Sequence, residues 1–188
     1  MTQFDDFYAQ KNNTSVEVED STALDQCMDL VFAWLDVLKI PRDTIRHQYA
    51  YQVWANPNPS LTQYFTMIPN SVTNVPLQGD VVVFKACSGI PVGHISLETG
   101  KSDTMNLVSF DQNWDTLHYY HVVNGIHVPY CRTVVHAGYY GVYGWLHPKF
   151  IVPIVDYKIV AQSVKSEVNS MDSDTIKVIK IKGIVQNV

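Results

Sequence analysis

The stretch Asp25–Trp34, reading Asp-Gln-Cys-Met-Asp-Leu-Val-Phe-Ala-Trp, constrains the fold of this chain more than any other. Met28, Val31, Phe32, Leu35 and Leu38 recur at three- and four-residue steps, the spacing that lines one face of a buried helix. Pro41 stops it. Asp25 is the expected N-cap, its carboxylate accepting from the unsatisfied N–H groups of the first turn. Cys27 falls in that turn, where the positive end of the helix favours a thiolate, the nucleophilic form of cysteine. Asp25 and Asp29 oppose this, so a reactive Cys27 requires a cationic partner, most simply a histidinium. Without one it is a small buried hydrophobe.

A chain of 188 residues has room for one core and a short appendage. With 46% hydrophobic, 12% aromatic and 16% charged residues it reads as an ordered globular protein. The net charge of -5, without Lys/Arg clusters, argues against nucleic acid as a partner and against attraction to anionic membranes. The start, Met-Thr-Gln-Phe-Asp-Asp-Phe, lacks the basic and apolar segments of a secretory signal, and no run of about 18 apolar residues follows. Synthesis in a cytoplasm without a signal peptide is therefore expected. Cys27, Cys87 and Cys131 are too few and too scattered for a disulfide framework, and no CxxC pair suggests zinc.

Residues 1–15 read as a polar lead-in, and Val16–Asp20 as a short alternating stretch. Asp43–Trp54 has helical spacing, with Asp43 as cap and Ile45, Tyr49 and Val53 on one face. Asn56-Pro57-Asn58-Pro59 ends it, and a structured loop with a short helix near Tyr64 runs on to Pro76. Asp80–Ala86, Gly93–Glu98 and Asn106–Trp114 are apolar runs bounded by turn formers, which marks strands. Leu117–Val123 and Ile126–Val135 flank Asn124-Gly125, the signature of a tight type I′ hairpin, with Pro129 forcing an edge or a bulge. Gly138–His147 closes the sheet, and Cys87 and Cys131 read as core thiols in strands. Helices first and an antiparallel sheet afterwards make an α+β domain. Residues 151–188, rich in Ile, Val, Lys and Ser, read as an appendage or linker.

A thiol nucleophile needs a base within hydrogen-bond reach and a third group to orient the base. His94 follows Gly93 at the head of an expected strand. Asp111 and Asn113 stand two apart on another, so both side chains share a face and either can accept the imidazole N–H. His118, His121 and His127 do not make a metal site, since positions three apart on a strand face opposite sides.

In the order Gln26-Cys27-Met-Asp29-Leu-Val, Gly79-Asp80-Val-Val-Val-Phe84, Gly93-His94-Ile-Ser-Leu, Phe110-Asp-Gln-Asn-Trp114 and Gly144-Trp145-Leu-His-Pro148, the chain resembles the CHAP family of cysteine, histidine-dependent amidohydrolases and peptidases. The match spans residues 16–150. It implies a papain-like α+β fold, N-terminal helices on an antiparallel sheet, with Cys27 attacking an amide carbonyl and His94 taking and returning the proton. Asp111 stands where the family often carries Glu, and Asn113 matches the family's Asn; both are candidates to orient His94. The Cys27 N–H, with Gln26 second, would stabilise the oxyanion.

The resemblance further implies a bacteriolytic hydrolase of peptidoglycan, a phage endolysin or virion-associated enzyme, reaching the wall by holin release or carried in the virion. It implies no obligatory cofactor. Some members bind calcium in an acidic loop before the cysteine, which makes Asp20, Asp25 and Asp29 candidates; here Ser21-Thr22-Ala23-Leu24 replaces the usual aromatic and glycine residues, and capping is the simpler role for the acids. Trp54, Tyr64 and Trp114 are the aromatic residues expected to line a substrate groove. The rival reading is a wall-binding or virion structural module that keeps the fold without turnover, and nothing in the sequence sets an oligomeric state.

Overall fold

The computed structural model describes residues 2–18, 26–114 and 120–149. Asp20, Asp25, His118 and the appendage 151–188 lie outside the described residues.

The lead-in is a helix rather than a polar coil. Thr2 and Asp5 cap α1 (Gln3–Lys11) reciprocally: Thr2 Oγ1 accepts the Asp5 N–H at 3.1 Å, and Asp5 Oδ2 accepts the Thr2 N–H at 2.7 Å. Phe4 and Phe7, three apart, then meet the indole of Trp34, each ring 5.3 Å from it. Trp34 belongs to the buried helix α2 (Cys27–Leu38), whose N-cap is Gln26 and not Asp25. Asp29 Oδ2 accepts the Gln26 N–H at 2.8 Å. Leu30, Val31, Phe32, Trp34 and Leu35 are all buried. Burying each large apolar side chain is worth about 1.5–3 kcal/mol, against about 1 kcal/mol for a cap, so packing holds this helix.

The expected helix over Asp43–Trp54 does not form. A 3-10 turn (Arg42–Thr44) is followed by irregular chain and the short α3 (Gln52–Ala55). Asn58 Nδ2 donates to the Asp43 carbonyl at 2.7 Å, so a side chain from beyond takes an acceptor that a helix would have used. The short helix near Tyr64 is α4 (Leu61–Tyr64), and the expected loop after it contains an edge strand, β1 (Phe65–Pro69).

The sheet comprises β1, β2 (Val81–Phe84), β3 (His94–Glu98), β4 (Asn106–Asp111), β7 (Arg132–Ala137) and β8 (Val142–Pro148), ordered β1-β8-β2-β3-β4-β7 with every ladder antiparallel. Val81 and Val83 enter the core shared with α2, while Val82 and Phe84 enter a second core with Leu107, Val142 and Trp145. Both faces of β2 are thus covered, which explains its unbroken apolar run. The Asn124-Gly125 turn, with φ of 51° and 80°, joins β5 (Tyr120–Val123) to β6 (Ile126–Pro129) as a separate two-stranded sheet. The hairpin ends at Pro129 instead of running to Val135. Cys131 exchanges backbone hydrogen bonds with the lead-in, to Thr14 at 2.9 Å and from Asn13 at 2.8 Å, and β7 then joins β4. The expected α+β arrangement is what the chain adopts.

Candidate active site

Cys27 is the first residue of α2, so its backbone N–H is among those with no acceptor inside the helix. His94 opens β3 directly opposite Phe84 of β2 and is buried. Its approach depends on Gly93, whose φ is 70°: a Cβ there would lie 2.6 Å from Tyr51 Cβ and 2.9 Å from the Phe84 carbonyl oxygen. Asp111 is the last residue of β4 and is also buried. His94 Nε2 donates to Asp111 Oδ1 at 2.7 Å.

The second imidazole nitrogen, Nδ1, is left for Cys27, whose side chain also hydrogen-bonds His94. Burial alone would lower the imidazole pKa. The negative charge of the Cys27 sulfur, then the hydrogen bonds from Asp111 and Cys27, outweigh burial and raise it to about 9. Burial would likewise raise the Asp111 carboxyl, but the imidazoles of His136 and His94 outweigh it and hold Asp111 below the usual carboxylate range. The site therefore favours an imidazolium between the Cys27 sulfur and the Asp111 carboxylate, which is the counter-charge that a cysteine flanked by acids requires.

Asn113 does not share this role. The strand ends at Asp111, Asn113 sits in the left-handed region with φ of 62°, and its Nδ2 donates to Gln26 Oε1 at 2.9 Å. It braces the residue before the cysteine rather than the histidine. Between them Gln112, fully buried, ties three segments together. Its Oε1 accepts the Val16 N–H at 2.8 Å and the Cys131 thiol at 3.0 Å, and its Nε2 donates to Val16 at 2.7 Å and to the Gln26 carbonyl at 3.0 Å. This clamp fixes the start of α2 against the end of β4, and so Cys27 against His94. Its signal in the sequence is a glutamine sandwiched between the two candidates Asp111 and Asn113, just past the end of the strand.

Asp29 Oδ2 caps Gln26, and Asp20 and Asp25, the other acids named as calcium candidates, lie outside the described residues. Among the described residues no group of three His, Cys, Asp or Glu side chains is gathered to hold a metal. Cys131 is buried as expected but sits in the link between β6 and β7, and Cys87 is exposed and also outside the strands. His121 and His127 sit on the β5–β6 hairpin, with His127 stacked on Tyr120 at 3.7 Å. Of the expected groove aromatics only Trp114 stands at the site, 4.8 Å from the His94 ring; Trp54 and Tyr64 pack against the core, Trp54 stacked on Tyr143.

Two residues at the site carry no signal that the sequence reading used. Ser109 Oγ donates to Asp111 Oδ2 and lies 2.8 Å from His136 Nε2. His136 packs under Trp114 at 4.5 Å. Two clefts flank this group. One of about 360 Å³ is lined by Cys27, Met28, His47, Tyr49 and Val92, and one of about 920 Å³ by Phe84, Trp114, His136, Tyr139 and Tyr140.

No protein-family model matches the chain, and no curated protein matches it by sequence. Solved structures share its fold. The wild type endolysin LysIME-EF1 aligns with a TM-score of 0.55 at 21% identity, over 81% of this chain and 67% of that one. Ly7917 aligns with a TM-score of 0.51 at 16% identity, over 78% of this chain and 60% of that one. This chain thus spans less than two thirds of the second structure, and at these identities the likeness concerns the fold: an α+β domain built as in an endolysin.

Proposed function

We propose that this chain is a peptidoglycan hydrolase, cutting an amide bond of the bacterial wall with Cys27 as nucleophile. The observation that carries the reading is the row Cys27, His94, Asp111, in which the buried His94 faces the half-buried sulfur and donates to the buried carboxylate. The fold likeness to an endolysin supports the wall as the place where such chemistry acts.

In this reading the Cys27 sulfur attacks the amide carbonyl, and the oxyanion forms beside the Cys27 N–H at the helix terminus. The side-chain amide of Gln26, its Oε1 held by Asn113, is the second candidate donor. His94 gives its proton to the departing amine, then activates the water that hydrolyses the thioester. Asp111 keeps Nε2–H donated and Nδ1 toward sulfur throughout, and is the orienting group in place of Asn113. The bond is the N-acetylmuramoyl-L-alanine amide or a peptide bond of the cross-linked stems. The family resemblance supports a phage lysin, released by a holin or carried on the virion. Residues 16–150 are the catalytic domain of this reading and 151–188 an appendage.

Turbidity of purified cell walls tests it. The parent protein clears the suspension; Cys27→Ala, with an unchanged circular dichroism spectrum, does not. Equal clearing by the alanine variant removes Cys27 from the mechanism, and no clearing by the parent returns the chain to the class of binding or structural modules.

A further inference from the structure

We propose that Ser109 and His136 are positioning residues for the Asp111–His94 pair, extending the row at the site by two groups. The inference rests on the hydrolase reading above and adds residues to it. Leu107, Ser109 and Asp111 alternate onto one face of β4, and His136 pairs with Leu107 across the β4–β7 ladder, which sets its ring diagonally over Ser109. Arg132 stands opposite Asp111 in the same ladder, and His94 reaches Asp111 from β3.

The hydrogen-bond directions follow from counting protons. A serine hydroxyl has one proton, and here it goes to Asp111 Oδ2. Toward His136 the same oxygen can only accept, so His136 presents Nε2–H at 2.8 Å. His136 Nε2 is itself 3.8 Å from Asp111 Oδ2, beyond hydrogen-bond length, so its hold on the carboxylate runs through Ser109. Asp111 thus accepts at both oxygens, from Ser109 on one side and His94 on the other. A carboxylate fastened at Oδ2 cannot swing away from His94 at Oδ1, and the His94 tautomer that faces Nδ1 to the cysteine is fixed with it.

Trp114 joins the two ends of the row, edge-on to His94 at 4.8 Å and to His136 at 4.5 Å, and Phe84 meets both imidazoles at 5.6 and 5.3 Å. His136 is 10% exposed and opens on the larger cleft, so packing as well as hydrogen bonding holds it. A purely structural role for the Ser109–His136 pair would show in stability and leave the chemistry at Cys27 unmoved.

The test compares Ser109→Ala, His136→Leu and His136→Gln in the full chain, with thermal midpoints recorded for each. Gln keeps an N–H donor near the position of Nε2, whereas Leu keeps only bulk. Wall hydrolysis should fall about ten- to hundredfold in kcat/KM for Ser109→Ala and His136→Leu, the usual scale for a group that orients a functional ligand from behind, with most of the loss in kcat. His136→Gln should recover most of it. A second readout needs no turnover: alkylation of Cys27 by iodoacetamide against pH, resolved by peptide mass spectrometry because Cys87 is exposed. The pH at which Cys27 becomes reactive should move up in Ser109→Ala and His136→Leu and stay near the parent value in His136→Gln. Rates and alkylation profiles within about twofold of the parent, or a Gln variant as impaired as Leu, would overturn the proposal. Inert parent protein with the alkylation shifts intact would instead retire the hydrolase reading and keep the positioning role.

Discussion

At position 94 the imidazole is held from two sides, by the Cys27 sulfur and by the Asp111 carboxylate, and that arrangement sets a pH dependence. His94 is raised to about 9, so in the proposed reaction its proton is available to the leaving amine through neutrality and is lost as pH climbs past that value. The alkaline limb of kcat/KM should therefore lie near 9. Asp111→Asn removes one of the two groups that raise His94, and should move that limb to lower pH while cutting kcat by about 10²- to 10⁴-fold, as loss of an orienting carboxylate does in related triads. A pH–rate profile on solubilised wall fragments measures both; an alkaline limb that stays in place in the Asn variant contradicts the assignment. Cys27, His94 and Asp111 are legible in the sequence because each has a local mark: a helix start, a Gly-His pair at a strand head, a strand end. Asn113 misleads because the strand rule of alternating faces is applied one turn too far, past the point where the chain enters the left-handed region. Ser109 and His136 are invisible beforehand, since a serine and a histidine 27 residues apart meet only through the β4–β7 register.

The elements are organised around α2, and what the sequence reveals about them depends on whether their partners are near in the chain. The period of α2 is local and legible. The α1 helix hides in a polar composition, although Thr2-x-x-Asp5 and the Phe4/Phe7 spacing were there to find it. The Asp43–Trp54 pattern fails as a helix because Asn58 intercepts its carbonyls from outside the segment. At the sheet end away from His94 two buried acids carry a different cost. Asp80 is raised to about 6 and Glu98 to about 7, in both cases chiefly by burial, with His147 pulling Asp80 back through a 2.7 Å contact. A carboxyl whose folded pKa exceeds its unfolded one binds more protons when folded, so stability falls as pH rises, here from the ordinary 4.5 of Glu98 through about 7. Glu98→Gln keeps acceptors and donors for Gly100 and Ser102 without the charge. Its thermal midpoint should be flatter between pH 5 and 8 than that of the parent and higher at pH 8 by a few degrees, on the order expected for about 1 kcal/mol in a domain of this size. A midpoint that falls at pH 8 would show that the ionised Glu98 stabilises the turn instead.

Across the whole molecule the α+β class follows from the order of helical and strand periods, but the strand order does not. β8 inserts between β1 and β2, bringing the last described strand inside the sheet next to its β1 edge, and no local pattern announces a pairing between segments so far apart. The same long-range closure gathers the site: the start of α2, the end of β4 and the lead-in meet at Gln112, and β7 delivers His136 to the face that carries His94. The sheet so formed has α2 on one side and the second aromatic core on the other, with clefts flanking Cys27 and Trp114. Counting the groups set free when the protein acts on purified peptidoglycan tests the central claim most directly. Amide hydrolysis through Cys27 predicts that new amines appear with time, that reducing sugar ends do not, and that Cys27→Ala yields neither. Release of reducing ends, or amines produced equally by the alanine variant, would contradict the account.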